Sequence, residues 1–235
     1  MNTLSFVTRQ EQVAIEVGLR ERNKAKRRQA IVGSTLALLR EFPLAEVSIE
    51  RIAAHAEVAP ATIYNLIGSR DQLLHACVDR IVDGLVDALV RIDPATDPIA
   101  AATAIVEHSA DAFIGDQRAY RQIIGALGGA GTGSMLAVDP AQLQIAAMRA
   151  AQHHGLVLDD IDPAALGRQI YLSYSGALLS WARGLLTDDG FRHAALHGLW
   201  TALAATATDA HRAEYLDQLR MLGPALTADG WGTAD

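Results

Sequence analysis

The 235-residue chain reads as an all-α protein, and three features carry that reading. Apolar residues recur at spacings of three and four, and no segment alternates as a half-buried strand would. Half of the residues are hydrophobic but only 5% are aromatic, a composition suited to closely packed helices. Asp-Pro pairs punctuate the chain, each offering an Asp cap followed by Pro at the first helical position.

Taken in order, residues 1–23 read as a basic flexible arm. Residues 24–70 form a three-helix head, and residues 71–235 a larger helical body. The first helix buries Ile31, Leu38 and Phe42. Two short helices follow in Ser48 to Ile67 (SIERIAAHAEVAPATIYNLI). Ser48 is a good N-cap with Glu50 in the first turn, and Pro60 suits the start of the second helix. Ile52, Ala53 and Ala56 share one face. Val58 pins the turn inward, and Ile63 and Leu66 point the second helix at the core. Ala53 is small because two helices crossing steeply over a short turn touch there.

A break at Gly68-Ser69 precedes a long fourth helix, opened by a capping box of Ser69 and Gln72. Its stripe is Leu74, Cys77, Val78, Ile81, Val82, Leu85 and Leu89, and it ends at Asp93-Pro94. The fifth helix starts at Asp97-Pro98 and runs to Gly115. Asp116 caps a sixth reaching about Leu127. Asp139-Pro140 opens a seventh, closed by Gly155, and Asp162-Pro163 an eighth reaching Leu186. The ninth covers about 190–208 and the tenth about 210–222.

The short bihelical element has the shape and chemistry of a major-groove probe. Its second helix leaves Ala59, Ala61, Thr62, Tyr64 and Asn65 outward, a mix of small, hydroxyl and amide groups able to read base edges. Charge supports this. Between Val17 and Ala30 stand Arg20, Arg22, Lys24, Lys26, Arg27 and Arg28 against Glu21 alone. Residues 1–80 carry a net +2 and residues 81–235 a net −9, within an overall −7. A basic end on an acidic body is the division expected when only one end meets phosphate.

From about Arg27 to Leu74 the chain resembles the N-terminal domain of the TetR family of bacterial transcriptional regulators. The resemblance rests on AIVGSTLALLREF (Ala30 to Phe42), VSIERIAAHA (Val47 to Ala56) and TIYNLIGSRDQLL (Thr62 to Leu74). Many members read T-L-Y-x-x-F-x-S-K-x-x-L over the last of these. Three departures stand out: Glu57 replaces a common turn glycine, Pro43 another, and Leu66-Ile67 the usual aromatics. A non-glycine residue at a turn needing positive φ is strained.

The resemblance implies a homodimer on a palindromic double-stranded operator, read by two half-sites about one helical turn apart. It assigns the dimer to the helices at about 163–186 and 190–208, which carry Ser173, Gly176, Ala177, Ser180, Ala195, Gly198, Ala202 and Ala205 for close approach. Ser48, Tyr64 and Arg70 are expected at phosphates, Thr62 and Asn65 at bases, and Ala61 against a thymine methyl. Arg27 and Arg28 are expected to reach flanking phosphate or minor groove. The body is expected to hold a small, largely apolar effector, with His108, Phe113, Tyr120, Met148, Tyr171, Tyr174 and Trp181 as lining candidates. Of these, His108 and Tyr174 are expected to be buried polar tips needing partners.

Other signals are weak. Gly128 to Gly133 (GGAGTG) lacks the strand and Gly-Lys-Ser/Thr of a phosphate loop and reads as a connector. His193 and His197 sit one turn apart without further metal ligands. His153-His154 suit a helix C-terminus. Cys77, alone, excludes an internal disulfide and reads as a buried thiol in a reducing cytoplasm. No signal peptide or membrane span is expected. No catalytic residues, metal or cofactor are assigned. The reading from a different class is an all-helical enzyme or small-molecule carrier whose head is merely structural.

Overall fold

The computed structural model describes residues 4–89, 94–128 and 139–228. It is all-α, with ten helices among those residues and one isolated bridge between Val157 and Ala207. The chain divides into two compact units, Met1–Cys77 and Val78–Asp235.

In the first unit, α1 spans Leu4–Glu41, a 3-10 turn spans Leu44–Glu46, α2 spans Ile49–His55 and α3 spans Pro60–Leu66. Residues 4–23, expected as an arm, are therefore continuous with α1. No proline interrupts the helix there, Gly18 is the one glycine in that stretch, and its Arg, Glu and Gln are all good helix formers. Ile31, Leu39 and Ile63 are fully enclosed, and Ala53 is 1% exposed where α2 meets its neighbours. Ser48 caps α2 by accepting a hydrogen bond from the Arg51 amide at 3.2 Å. The expected capping box starts α4 (Arg70–Leu89): the Ser69 amide donates to Gln72 Oε1 at 2.7 Å, and the Gln72 amide to Ser69 Oγ at 3.3 Å. Gly68 precedes it at φ 114°, where a Cβ would collide with Gln72 Oε1 at 2.0 Å. Leu74, Cys77, Val78 and Ile81 on the expected α4 stripe are buried, while the side chains of Val82, Leu85 and Leu89, like Asp93, lie outside the described residues.

The second unit is a helical bundle. It contains α5 (Pro98–Gly115), α6 (Gln117–Leu127), α7 (Ala141–His153), α8 (Pro163–Ala182), α9 (Asp188–Thr206) and α10 (Asp209–Ala228). Asp97 and Asp162 act as the caps the sequence predicts, accepting from the amides of Ala100 at 2.9 Å and Ala164 at 2.8 Å. Gly155 takes φ 68° after α7, as a helix-ending glycine does. Three boundaries move. Gly184 at φ 79° ends α8 at Ala182 rather than Leu186. Thr187 caps α9 two residues early, accepting from the Gly190 amide at 3.0 Å with Asp188 and Asp189 in the first turn. α10 continues through Pro224 to Ala228. Gly129 to Gly133 of the connector lie outside the described residues.

α9 is the central helix, packed by α5, α8 and α10. Its face of Phe191, Ala195, Leu199 and Leu203 is enclosed. Trp200 meets Tyr215 of α10 with ring centroids 5.6 Å apart. Two glycines permit the closest crossings. A Cβ on Gly167 would lie 2.6 Å from the Ile145 Cα and N of α7, and one on Gly198 would lie 2.2 Å from Ser173 Oγ of α8. No helix among the described residues is long and apolar enough to cross a membrane.

Candidate nucleic-acid interface

The outward face of α3 is set by what its inward face must bury. At 100° per residue, Ala61 and Asn65 lie opposite Ile63, which is 0% exposed, and Thr62 and Tyr64 flank them on either side. Ala61 and Asn65 are exposed, Tyr64 is 54% exposed and Thr62 is half-buried. These four residues, expected at bases or, for Tyr64, at phosphate, thus share one side of α3 about one helical turn long. Pro60 stands at the first position, and Ala59, the N-cap, supplies no side-chain bond. Pro60 has no amide to donate, and the Thr62 amide donates to the Ala59 carbonyl at 2.8 Å.

The turn between α2 and α3 holds Glu57 at φ 54°, the only non-glycine residue with positive φ among those described. The Val58 amide donates to the Ala53 carbonyl at 2.9 Å and closes the turn. Glu57 thus occupies a left-handed position with a side chain whose Cβ opposes it.

Two expected phosphate contacts are engaged within the head. The Arg70 guanidinium donates to the Leu44 carbonyl, tying the start of α4 to the 3-10 turn. Ser48 is exposed, but its hydroxyl caps α2 and bonds Glu50. The Glu50 carboxyl is held below its ordinary pKa, chiefly by its own backbone amide and then by Ser48. A carboxylate therefore sits at the α2 N-terminus, where a phosphate was expected. Arg51, not singled out from the sequence, stacks its guanidinium 3.6 Å from the Phe42 ring centre and supports the helix pair from behind. Arg27 and Arg28 are exposed on α1.

The expected effector-lining residues fall into three groups. Phe113, Tyr120, Met148 and Trp181 are buried, with Phe113 edge-on to Tyr120 at 5.2 Å. Trp181 is committed: its indole N–H donates to Asp188 Oδ1 at 2.7 Å, and Arg121 lies over its ring while donating to its carbonyl at 2.8 Å. Tyr171 and Tyr174 are half-buried on α8. The Tyr174 ring packs on Phe191 at 5.6 Å, and its hydroxyl oxygen is enclosed without a hydrogen-bond partner. Burial pushes that phenol well above its usual pKa; Ser109 opposes this weakly, its own hydroxyl donating to the Val106 carbonyl at 3.0 Å.

His108 corrects the sequence reading. It is exposed, because the inward side of α5 is taken by Ala101, Ile105, Ser109 and Phe113. With Glu107, Asp111, Arg192 and Leu196 it lines a shallow cleft of about 210 Å³ instead of an interior pocket. Gln144 of α7 was missed. It is 3% exposed, its Nε2 donates to the Ala102 carbonyl at 3.0 Å, and its Oε1 has no partner. Its spacing of four from Met148 was the available signal. Cys77 is buried. Among the described residues no three His, Cys, Asp or Glu groups converge as metal ligands.

Residues 31–77 match the sequence profile of bacterial regulatory proteins of the tetR family. Over that stretch the chain is similar to the DNA-binding domain of this family. Over 63 residues it is 40% identical to the HTH-type transcriptional regulator BetI 2 of Chromohalobacter salexigens, spanning 27% of this chain and 30% of that relative's length. Solved structures share the fold more widely. SmeT, the repressor of the Stenotrophomonas maltophilia multidrug efflux pump SmeDEF, superposes with TM-score 0.58 at 21% identity, covering 77% of this chain and 91% of SmeT. RolR in complex with resorcinol superposes with TM-score 0.57 at 17% identity, covering 85% and 95%.

Proposed function

We propose that this protein is a ligand-responsive transcriptional regulator of the TetR type, a repressor that binds a palindromic operator as a homodimer and is released by a small, largely apolar effector. The observation that carries the reading is the face of α3, where Ala61 and Asn65 project from a helix anchored by the enclosed Ile63. Asn is able to pair with adenine N6 and N7, and Thr62 with either groove edge, while Tyr64 offers its hydroxyl to phosphate.

The body supports the second half of the reading through two polar atoms left without partners in its interior, Tyr174 Oη and Gln144 Oε1. Such atoms cost free energy unless something satisfies them, and an effector with one or two hydrogen-bonding groups would do so. For the dimer, α8 offers Leu172, 56% exposed, and Gly176, open to solvent. The expected second helix, α9, spends its small residue Gly198 on Ser173 of the same chain. α10 is the better partner, with Met221 64% and Leu216 36% exposed.

A gel shift with the DNA flanking its own gene tests the reading. Specific, salt-sensitive retardation that an aromatic effector reverses is the expected result. Asn65→Ala should relax preference at one base pair, costing about 1–3 kcal/mol there. Equal loss on specific and random duplexes would remove Asn65 as a base reader. Failure to retard any duplex specifically would favour the enzyme or carrier reading.

A further inference from the structure

We propose that the N-terminal part of α1 is a second DNA-contacting element, a helical outrigger that grips phosphates beside the site read by α3. The proposal rests on the reading above, that the chain binds duplex DNA.

The family profile begins at Ile31, whereas α1 begins at Leu4, so this part of the helix lies outside the shared domain. Every residue from Leu19 to Ala30 is exposed. That segment carries six cations and one acid.

The helical phase gives these charges a direction. Ile31, Thr35 and Leu38, buried at 0%, 1% and 5%, form one row on the buried side of α1, the helix against which α2 and α3 pack. Stepping back along the same row by four, three and four residues gives Arg27, Lys24 and Arg20. The row that is buried against the core becomes cationic where the core ends. Arg20 stands about 16 Å along the axis from Ile31, at a rise of about 1.5 Å per residue.

Cations three and four apart on one helix face repel each other, and this segment has no core to bury. A polyanion beneath the row relieves that repulsion. B-form DNA presents a charge about every 1.7 Å of axis, so three cations spread over about 10 Å find phosphates without special geometry. An anionic bilayer fits this row less well, since no large apolar side chain stands between Arg20 and Arg27 to insert.

The test uses the full chain and compares R20Q/K24Q/R27Q with R22Q/K26Q, which lie on the opposite face. Glutamine keeps helix propensity, and circular dichroism checks the fold. Affinity for a duplex from the DNA flanking its own gene is measured by fluorescence anisotropy from 50 to 200 mM salt. Removing three phosphate contacts should make the slope of log K against log salt shallower by about 2.7 per protomer, a difference of roughly 40-fold in affinity lost across that range. Base preference should stay unchanged, and the opposite-face variant should change the slope by less than about one.

An unchanged slope in the triple variant, or an equal change in the opposite-face variant, overturns the outrigger while leaving the operator reading intact. Absence of specific binding by the wild type removes the operator reading itself. Binding to vesicles with anionic lipids that the triple variant loses, at unchanged DNA slope, would assign the row to membranes instead.

Discussion

Three glycines of the body allow its packing to be tested with one type of substitution. Gly167→Ala places a Cβ 2.6 Å from the Ile145 Cα and N, and 2.9 Å from the Gln144 carbonyl carbon. All three obstacles are backbone, so α7 and α8 must separate by nearly 1 Å to restore ordinary contact, and the Gln144 bond to the Ala102 carbonyl moves with them. Overpacking of this kind costs up to about 3 kcal/mol, against about 1 kcal/mol gained from replacing a helical glycine, a net loss near 2 kcal/mol. Gly198→Ala meets Ser173 Oγ at 2.2 Å, an atom that can rotate away, and Ser173 Cβ at 3.1 Å. The two contributions there should nearly cancel. Gly176→Ala meets nothing within 4 Å and should gain about 1 kcal/mol. Urea unfolding at one protomer concentration, with light scattering to confirm the same oligomeric state throughout, should rank Gly176→Ala first, Gly198→Ala near wild type and Gly167→Ala last. Wild-type stability in Gly167→Ala would refute the close α7–α8 crossing.

Glu57→Gly should raise the melting temperature of the head: relief of about 1–2 kcal/mol at φ 54° exceeds the added unfolded-chain entropy of about 0.4–1 kcal/mol. A lower melting temperature would mean that the Glu57 side chain holds the turn. Tyr174→Phe removes an enclosed, unpartnered hydroxyl, so the ligand-free body should become more stable by up to about 1 kcal/mol while an effector anchored there binds more weakly; thermal shift with and without effector reads both. Asp139 is held below the usual carboxylate range, chiefly by Arg168 at 2.8 Å. Its folded pKa is depressed, so its stabilisation is present above the unfolded value of about 3.9 and is lost as the pH falls through the folded value. Arg168→Ala should remove under about 1 kcal/mol at pH 7 and flatten that acid limb in pH-dependent urea unfolding, since the pair is largely exposed.

The reading helix was legible in the sequence because local chemistry fixes it. Ile63 at the right spacing from Ile52 and Ala53, with Pro60 to start the helix, leaves one arrangement in which the apolar groups are buried. Thr62, Tyr64 and Asn65 face outward as a consequence. Arg70 was not legible as a tie to Leu44, because that contact joins residues 26 apart in the chain. The body shows the same division. Asp97, Asp162 and Gly155 announced their helix ends through local bonds, whereas Thr187 was overlooked as a cap and Gly184 as a break. His108 was misplaced by one face of α5, since an Ala-rich helix offers apolar residues in nearly every direction and periodicity cannot choose among them.

The sequence by itself determined most of the helices and the bihelical probe with its outward residues, because each depends on spacing along a single helix or on bonds within a turn; that Arg20 shares a helical row with Lys24 and Arg27 came only from α1 running through the expected arm. Only the tertiary structure decided that α9 is packed by α5, α8 and α10, that Trp181 is tied to Arg121 and Asp188, and that Tyr174 and Gln144 are left with unsatisfied atoms inside the body. Those outcomes depend on which helices meet, and helices of alanine and leucine can pack against many partners until close approaches such as Gly167 on Ile145 and Gly198 on Ser173 select one.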